Sequence, residues 1–245
     1  MSAARTFHRF AHQGANFRIA CEHVDVVRRE IVRQRRLLEE YLAGHEEFGV
    51  SLEPVAARAD APKVAQRMAV AAAIVGVGPM AAVAGAMAQL AAEAALDAGS
   101  DEALVENGGD IFLICRRAVV VALHAGSGSL ADSLALSVEP DQTPLAICSS
   151  SGRMGHSMSL GDCDLATVTA SDASLADAAA TLAANLVRTG DDIDGALERV
   201  VALEGVGGVL IVQAGRVGLA GRLPRLVRHD DEGVAGKVTR DPRSG

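Results

Sequence analysis

A chain of 245 residues with a formal net charge of −8 is long enough to bury a sizeable core, and its acidity excludes a nucleic-acid footprint spread over the whole molecule. Hydrophobic residues make up 49% of the chain but aromatic ones only 2%, so the core is expected to be built from Ala, Val, Leu and Ile. Four scattered cysteines, Cys21, Cys115, Cys148 and Cys163, form no CxxC pair and read as reduced, buried thiols.

Residues 1–16 carry charges and histidines without the apolar run of a signal peptide; they read as an N-terminal extension of a cytoplasmic protein. Phe17 to Glu22 alternates like a strand. Val24 to Leu42 has helical spacing, with Val24, Val27, Ile31, Leu38 and Leu42 on the apolar face. The arginines opposite, Arg35 among them, interleave with Glu30, Glu39 and Glu40 and read as a solvated face. Residues 46–62 read as loop and Val64 to Val75 as helix. Gly76-Val77-Gly78-Pro79 then introduces a second helix to about Asp97, with Pro79 at its first position. A glycine-preceded helix N-terminus is an anion site, which makes Gly78 a candidate ligand contact. The uncharged run from Met68 to Ala92 is long enough for a membrane span, but its Ala/Gly content and the Gly78-Pro79 break favour a buried helix. Gly76-x-Gly78-x-x-Ala81 comes near a dinucleotide fingerprint, yet Asp97 ends a helix where that motif needs the end of a second strand.

Further along, apolar runs at Ala103 to Val105 and Ile111 to Ile114 flank Glu106-Asn107-Gly108-Gly109-Asp110. The two glycines fit either a hairpin turn or close approach to a ligand. Strands are expected at 118–124, 134–138 and 145–148. Ser149 to Asp164 is rich in small residues whose N–H groups can face an anion, with Ser150, Ser151 and Gly152 at its start and His156 as an acid, base or ligand within it. A Ser–His nucleophile there lacks the GxSxG elbow. Asp191 to Leu203 reads as helix, 208–212 with 216–220 as a closing hairpin, and 222–245 as a charged, flexible tail. Without regular β–α alternation, this pattern predicts one α+β domain over 17–221, a mixed, largely antiparallel sheet layered with helices.

The stretch Ala166 to Asn185 is the most unusual. A short β-like run leads into a helix whose polar residues Asp177, Thr181 and Asn185 stand four apart, on one stripe flanked by alanines. Ser174 with Asp177 three residues on resembles a capping box. Equally, a carboxylate and a hydroxyl on a small-residue surface make a natural Mg²⁺ site completed by phosphates and water. Both readings stand on the residues alone.

Together, VGPMAAVAG, LVENGGDI, SSSG-x-x-GHS and ATVTASDASLADAAAT resemble the ApbE-like superfamily, the FAD:protein FMN transferases, and more closely an uncharacterised branch of it. The resemblance runs from about Phe17 to Ala220. It implies Asp177 and Thr181 as Mg²⁺ ligands and Asn107, Gly108, Gly109 and Asp110 against the ligand, with FAD as that ligand. His156 and Asp110 are then the candidates for proton transfer, and Gly78, Ser150, Ser151 and Gly152 for cofactor contacts. The partners implied are a small-molecule nucleotide and an acceptor protein; no nucleic acid or membrane partner is expected, and the Ala-rich helix suits a homo-oligomer. In three respects the chain departs from the transferases. Their Lys-Gly is matched by Ala84-Gly85, which removes a phosphate-binding cation. Their His-x-x-Asp-Pro has no counterpart after His156, and only Phe112 and Tyr41 stand out as flavin-stacking aromatics.

Overall fold

The computed structural model describes residues 5–124, 134–152 and 162–228. Its frame is an eight-stranded antiparallel sheet of β1 (His8–His12), β2 (Ala15–Cys21), β3 (Ala103–Asn107), β4 (Asp110–Ile114), β7 (Leu145–Ser150), β8 (Leu165–Ala170), β9 (Val206–Gln213) and β10 (Arg216–Gly221), in that spatial order. A second sheet holds β11 (Arg225–Arg228), β6 (Leu134–Val138) and β5 (Val119–Ala122). The helices are α1 (Val24–Ala43), α2 (Glu46–Val50), α3 (Lys63–Val75), α4 (Val83–Asp97), α5 (Ala173–Leu186) and α6 (Ile193–Val201).

Strand alternation sorts the side chains into two cores. Val105, Phe112, Ala146, Cys148, Ala166, Val168, Val209 and Ile211 face the helices. Their neighbours Leu104, Leu113, Ile147, Leu165, Leu210 and Val212 face the small sheet. A period of two places Asn107 with Val105 and Asp110 with Phe112, so both polar residues fall on the helix side. The helix-side core is made of alanine wherever helices meet closely, and α5 is buried from Ala173 through Ala184.

The structure differs from expectation at three places. Residues 8–12, assigned to an N-terminal extension, form the edge strand of the main sheet, pairing from His8 against Ile19 to His12 against Ala15. Residues 225–228, assigned to the tail, pair with β6. Residues 46–50, read as loop, form α2, whose Phe48 is buried. In each case a partner elsewhere in the chain supplies what local periodicity does not. Residues 229–245 lie outside the described residues. The stretch Pro79–Asp97 has the length and hydropathy of a membrane helix, but 61% of its most apolar window is buried in the protein. As expected of a core helix, it packs on α1, α5 and β3.

Candidate functional site

The site forms where the β3–β4 turn, the first turn of α4 and the first turns of α5 converge. Gly108 and Gly109 carry the chain around this turn at φ +65° and +110°, and a Cβ on either would meet nothing within 4 Å. Their glycine character therefore answers to the left-handed conformation of a two-residue hairpin turn. The turn sets Asn107 directly opposite Asp110, each only 7% exposed. The Gly108 N–H donates to the Asn16 carbonyl at 3.2 Å, which ties the turn to the β1–β2 hairpin.

Asp177 does not cap α5. The N-cap is Asp172, whose carboxylate accepts from the Leu175 N–H at 2.9 Å, while the Ser174 hydroxyl is buried without a hydrogen bond. The capping-box reading is thereby overturned. Asp177 instead accepts from the Gly85 N–H at 2.9 Å, and the Ala84 N–H also favours its charged form. The first-turn amides of α4 thus hold the chain's own carboxylate, six to seven residues beyond the Gly78–Pro79 start where an anion contact was expected. Such an approach needs Gly85: a Cβ there would lie 2.0 Å from the Ala173 carbonyl oxygen and 2.9 Å from the Asp177 Cβ.

Asp110 comes to the same place from the sheet. Its carboxylate accepts from the Ser149 N–H at 3.2 Å. Burial pushes its pKa up to about 7, against the lowering effect of that bond and of the Cys148 thiol. Asp177 lies well above the ordinary carboxylate range, first through burial and next through repulsion by Asp110. Both carboxylates in turn raise the buried Cys148 thiol, beyond the effect of burial itself. No cationic side chain is among the groups that shift either aspartate. Thr181, one turn beyond Asp177, is 6% exposed. Two carboxylates and a hydroxyl are hard oxygen donors of the kind Mg²⁺ takes. A cluster of three or more His, Cys, Asp or Glu ligands does not occur among the described residues.

Of the remaining sequence candidates, Ser150 ends β7, while the Ser151 hydroxyl and the Gly152 N–H both donate to the Cys163 carbonyl, at 3.3 and 2.9 Å. Gly78 has a packing role: a Cβ would lie 1.9 Å from the Ser51 carbonyl oxygen. His156 lies outside the described residues. Phe112 and Tyr41 are core residues, 3% and 8% exposed, and Tyr41 stacks on His45 at 4.1 Å between ring centroids. What the sequence reading missed is a cleft of about 150 Å³ beside the site, bordered by Phe17, Met87, Ala84, Asn107, Arg35 and His12. These residues come from five separate elements, and Arg35 stands in an ordinary-looking basic face, so no local signal marks them.

Residues 4–205 match the family model described as AbpE bacteria. The chain belongs to that family. Among relatives of this AbpE-bacteria member, a UPF0280 protein of Methanosarcina acetivorans is 39% identical over 207 residues, covering 84% of this chain and 81% of its own. A UPF0280 protein of Methanothermobacter thermautotrophicus is 40% identical over 212 residues, covering 85% and 82%. Solved structures agree on the fold. The Vibrio cholerae flavin transferase ApbE superposes with a TM-score of 0.55 at 14% identity, covering 89% of this chain and 97% of that one. The apo flavinyl transferase ApbE of Pseudomonas stutzeri gives 0.53 at 12% identity, covering 90% and 97%. The α+β, ApbE-like architecture expected from the motifs is the one observed.

Proposed function

We propose that this ApbE-like chain binds Mg²⁺ together with FAD or a related phosphorylated nucleotide, and that it transfers an FMN group or cleaves the diphosphate. The observation that carries the reading is the meeting of Asp110 and Asp177. They are buried carboxylates from different elements, both raised first by burial, Asp177 further by Asp110 and Asp110 further by Glu106, with no cationic side chain among the groups that shift them. Two unpaired acids in one buried site are costly unless protonated or neutralised by a cation. The Gly85 N–H anchors one oxygen of the Asp177 carboxylate, and the Thr181 hydroxyl stands one turn further along the same helix face. Bound there, Mg²⁺ would neutralise diphosphate charge and stabilise departing AMP.

The chain's own groups do the rest. Asn107 and the α4 turn border the ligand space, and the Gly85 N–H fixes the Asp177 carboxylate in place. Asp110, held by the Ser149 N–H, is suited to take a proton from an acceptor hydroxyl. Ala84, where the resembling transferases carry lysine, favours one alternative: a flavin- or nucleotide-binding module without turnover.

Incubation of the pure protein with FAD and Mg²⁺, read by bound-flavin fluorescence and AMP release, separates these. AMP release supports the enzyme, and binding without AMP supports the module. The absence of binding with or without metal rejects both. Asp177→Ala is expected to abolish the thermal shift produced by Mg²⁺; an undiminished shift rejects the metal assignment.

A further inference from the structure

We infer that the cleft beside the carboxylate pair is the subsite for the base of the nucleotide, a planar heteroaromatic group of one or two rings carrying an exocyclic amine, and not for a three-ring flavin. The inference rests on the nucleotide reading of the adjoining site. Size is the first argument. At about 150 Å³, in a cleft open to solvent on one side, the space is on the scale of an apolar cavity that takes a benzene ring and suits a base of one or two rings better than a three-ring flavin.

The lining is the second argument. Phe17 and Met87, 2% and 4% exposed, supply a ring and an adaptable thioether as apolar walls. Asn107 supplies the polar edge. Its Nδ2 donates to the Ala84 carbonyl at 3.3 Å, which fixes the amide plane. Its carbonyl oxygen has no partner among the described residues and is available to an amino group, as an asparagine amide is when it reads an adenine edge. At the mouth stand Arg35 and His12. Arg35 is paired with Glu39 at 2.8 Å, and His12 is stacked on Phe10 at 6.1 Å with the rings 7° from parallel. Both suit the π-face of a base.

Placement is the third argument. Ala84 borders the cleft, and its N–H belongs to the turn that holds Asp177. Asn107 borders the cleft as well and is paired across the hairpin with Asp110. A base in the cleft would therefore lie against the α4 turn that holds Asp177 and beside the cross-strand partner of Asp110, with its sugar and phosphates directed towards the two carboxylates.

The test is calorimetric titration of the full chain in excess Mg²⁺ with pyrophosphate, ADP, inosine diphosphate and FMN. In the wild type ADP is expected to bind on the order of tenfold tighter than pyrophosphate, because the base is stacked and desolvated. ADP should also bind tighter than inosine diphosphate, whose oxo group cannot donate to Asn107. Ala15→Phe, which fills the cleft from its half-buried rim, should lower ADP affinity to that of pyrophosphate while leaving pyrophosphate and FMN unchanged; circular dichroism verifies its folding. Unchanged ADP binding in Ala15→Phe, or a parallel loss of FMN binding, overturns the inference. So does equal wild-type affinity for ADP and inosine diphosphate, a result that needs no variant. If the wild type binds neither pyrophosphate nor ADP, the nucleotide reading itself fails and the base subsite falls with it.

Discussion

Glu102 and the Asp110–Asp177 pair are acids withdrawn from water in opposite ways. Glu102 takes two hydrogen bonds from the Arg5 guanidinium, at 2.8 and 2.9 Å, and another from the Arg116 N–H at 3.2 Å. The Arg5 bond chiefly holds its carboxyl below the usual range. Glu30 is held down in the same way by Arg33 and Gln34. At Asp110 and Asp177 the chain, although it has 23 lysines and arginines, places no described cation to do this, and both carboxyls rise. An acid used for structure is neutralised from within the fold. Under the proposed function, the acids left unmatched are the place for a cation from outside.

That contrast is most sharply tested by pH. The Asp110 pKa is raised on folding from 3.8 to about 7, so the folded state holds a proton the unfolded state has released. Its contribution is fully present below pH 3.8 and is lost as pH rises towards 7, on the order of 4 kcal/mol. Without Mg²⁺, stability in urea should fall across this window; Asp110→Asn should lessen the fall, with Asp177 accounting for the remainder, and Mg²⁺ should offset it at neutral pH. A flat profile for the metal-free wild type would show that the two acids do not share a desolvated site. Gly85→Ala comes next. With a carbonyl 2.0 Å from the added Cβ, it is expected to cost about 3 kcal/mol by denaturant unfolding and to remove the Mg²⁺-dependent shift, since Asp177 loses its seat. Asp172→Ala separates capping from binding on the same helix: about 1 kcal/mol of stability lost, with the Mg²⁺ response retained. The smallest effect belongs to the paired acid. Glu102→Gln should cost about 1 kcal/mol at neutral pH, a difference that disappears as pH falls below 4.5, opposite in sign to the Asp110 trend.

Much of the fold could be read along the chain. Helices α1, α3 and α4 follow from their apolar spacing, and the β3–β4 hairpin from two glycines that accept positive φ. The edge strands β1 and β11 could not be read, because a short polar strand is specified by the neighbour it pairs with. The site divides in the same way.

By itself the sequence determined that Asp177 and Thr181 share a helix face, since a period of 3.6 residues requires it, and that Asn107 and Asp110 flank a tight turn. It carried the four motifs whose family the comparisons bear out. Only the tertiary structure decided what Asp177 bonds to. Capping depends on where the backbone enters the helix, and the chain enters at Asp172, leaving Asp177 to reach the α4 amides 92 residues away. Tertiary packing likewise set two carboxylates against each other and opened a cleft between a hairpin and two helices. Contacts of that kind arise from the packing of whole elements, which no local pattern encodes.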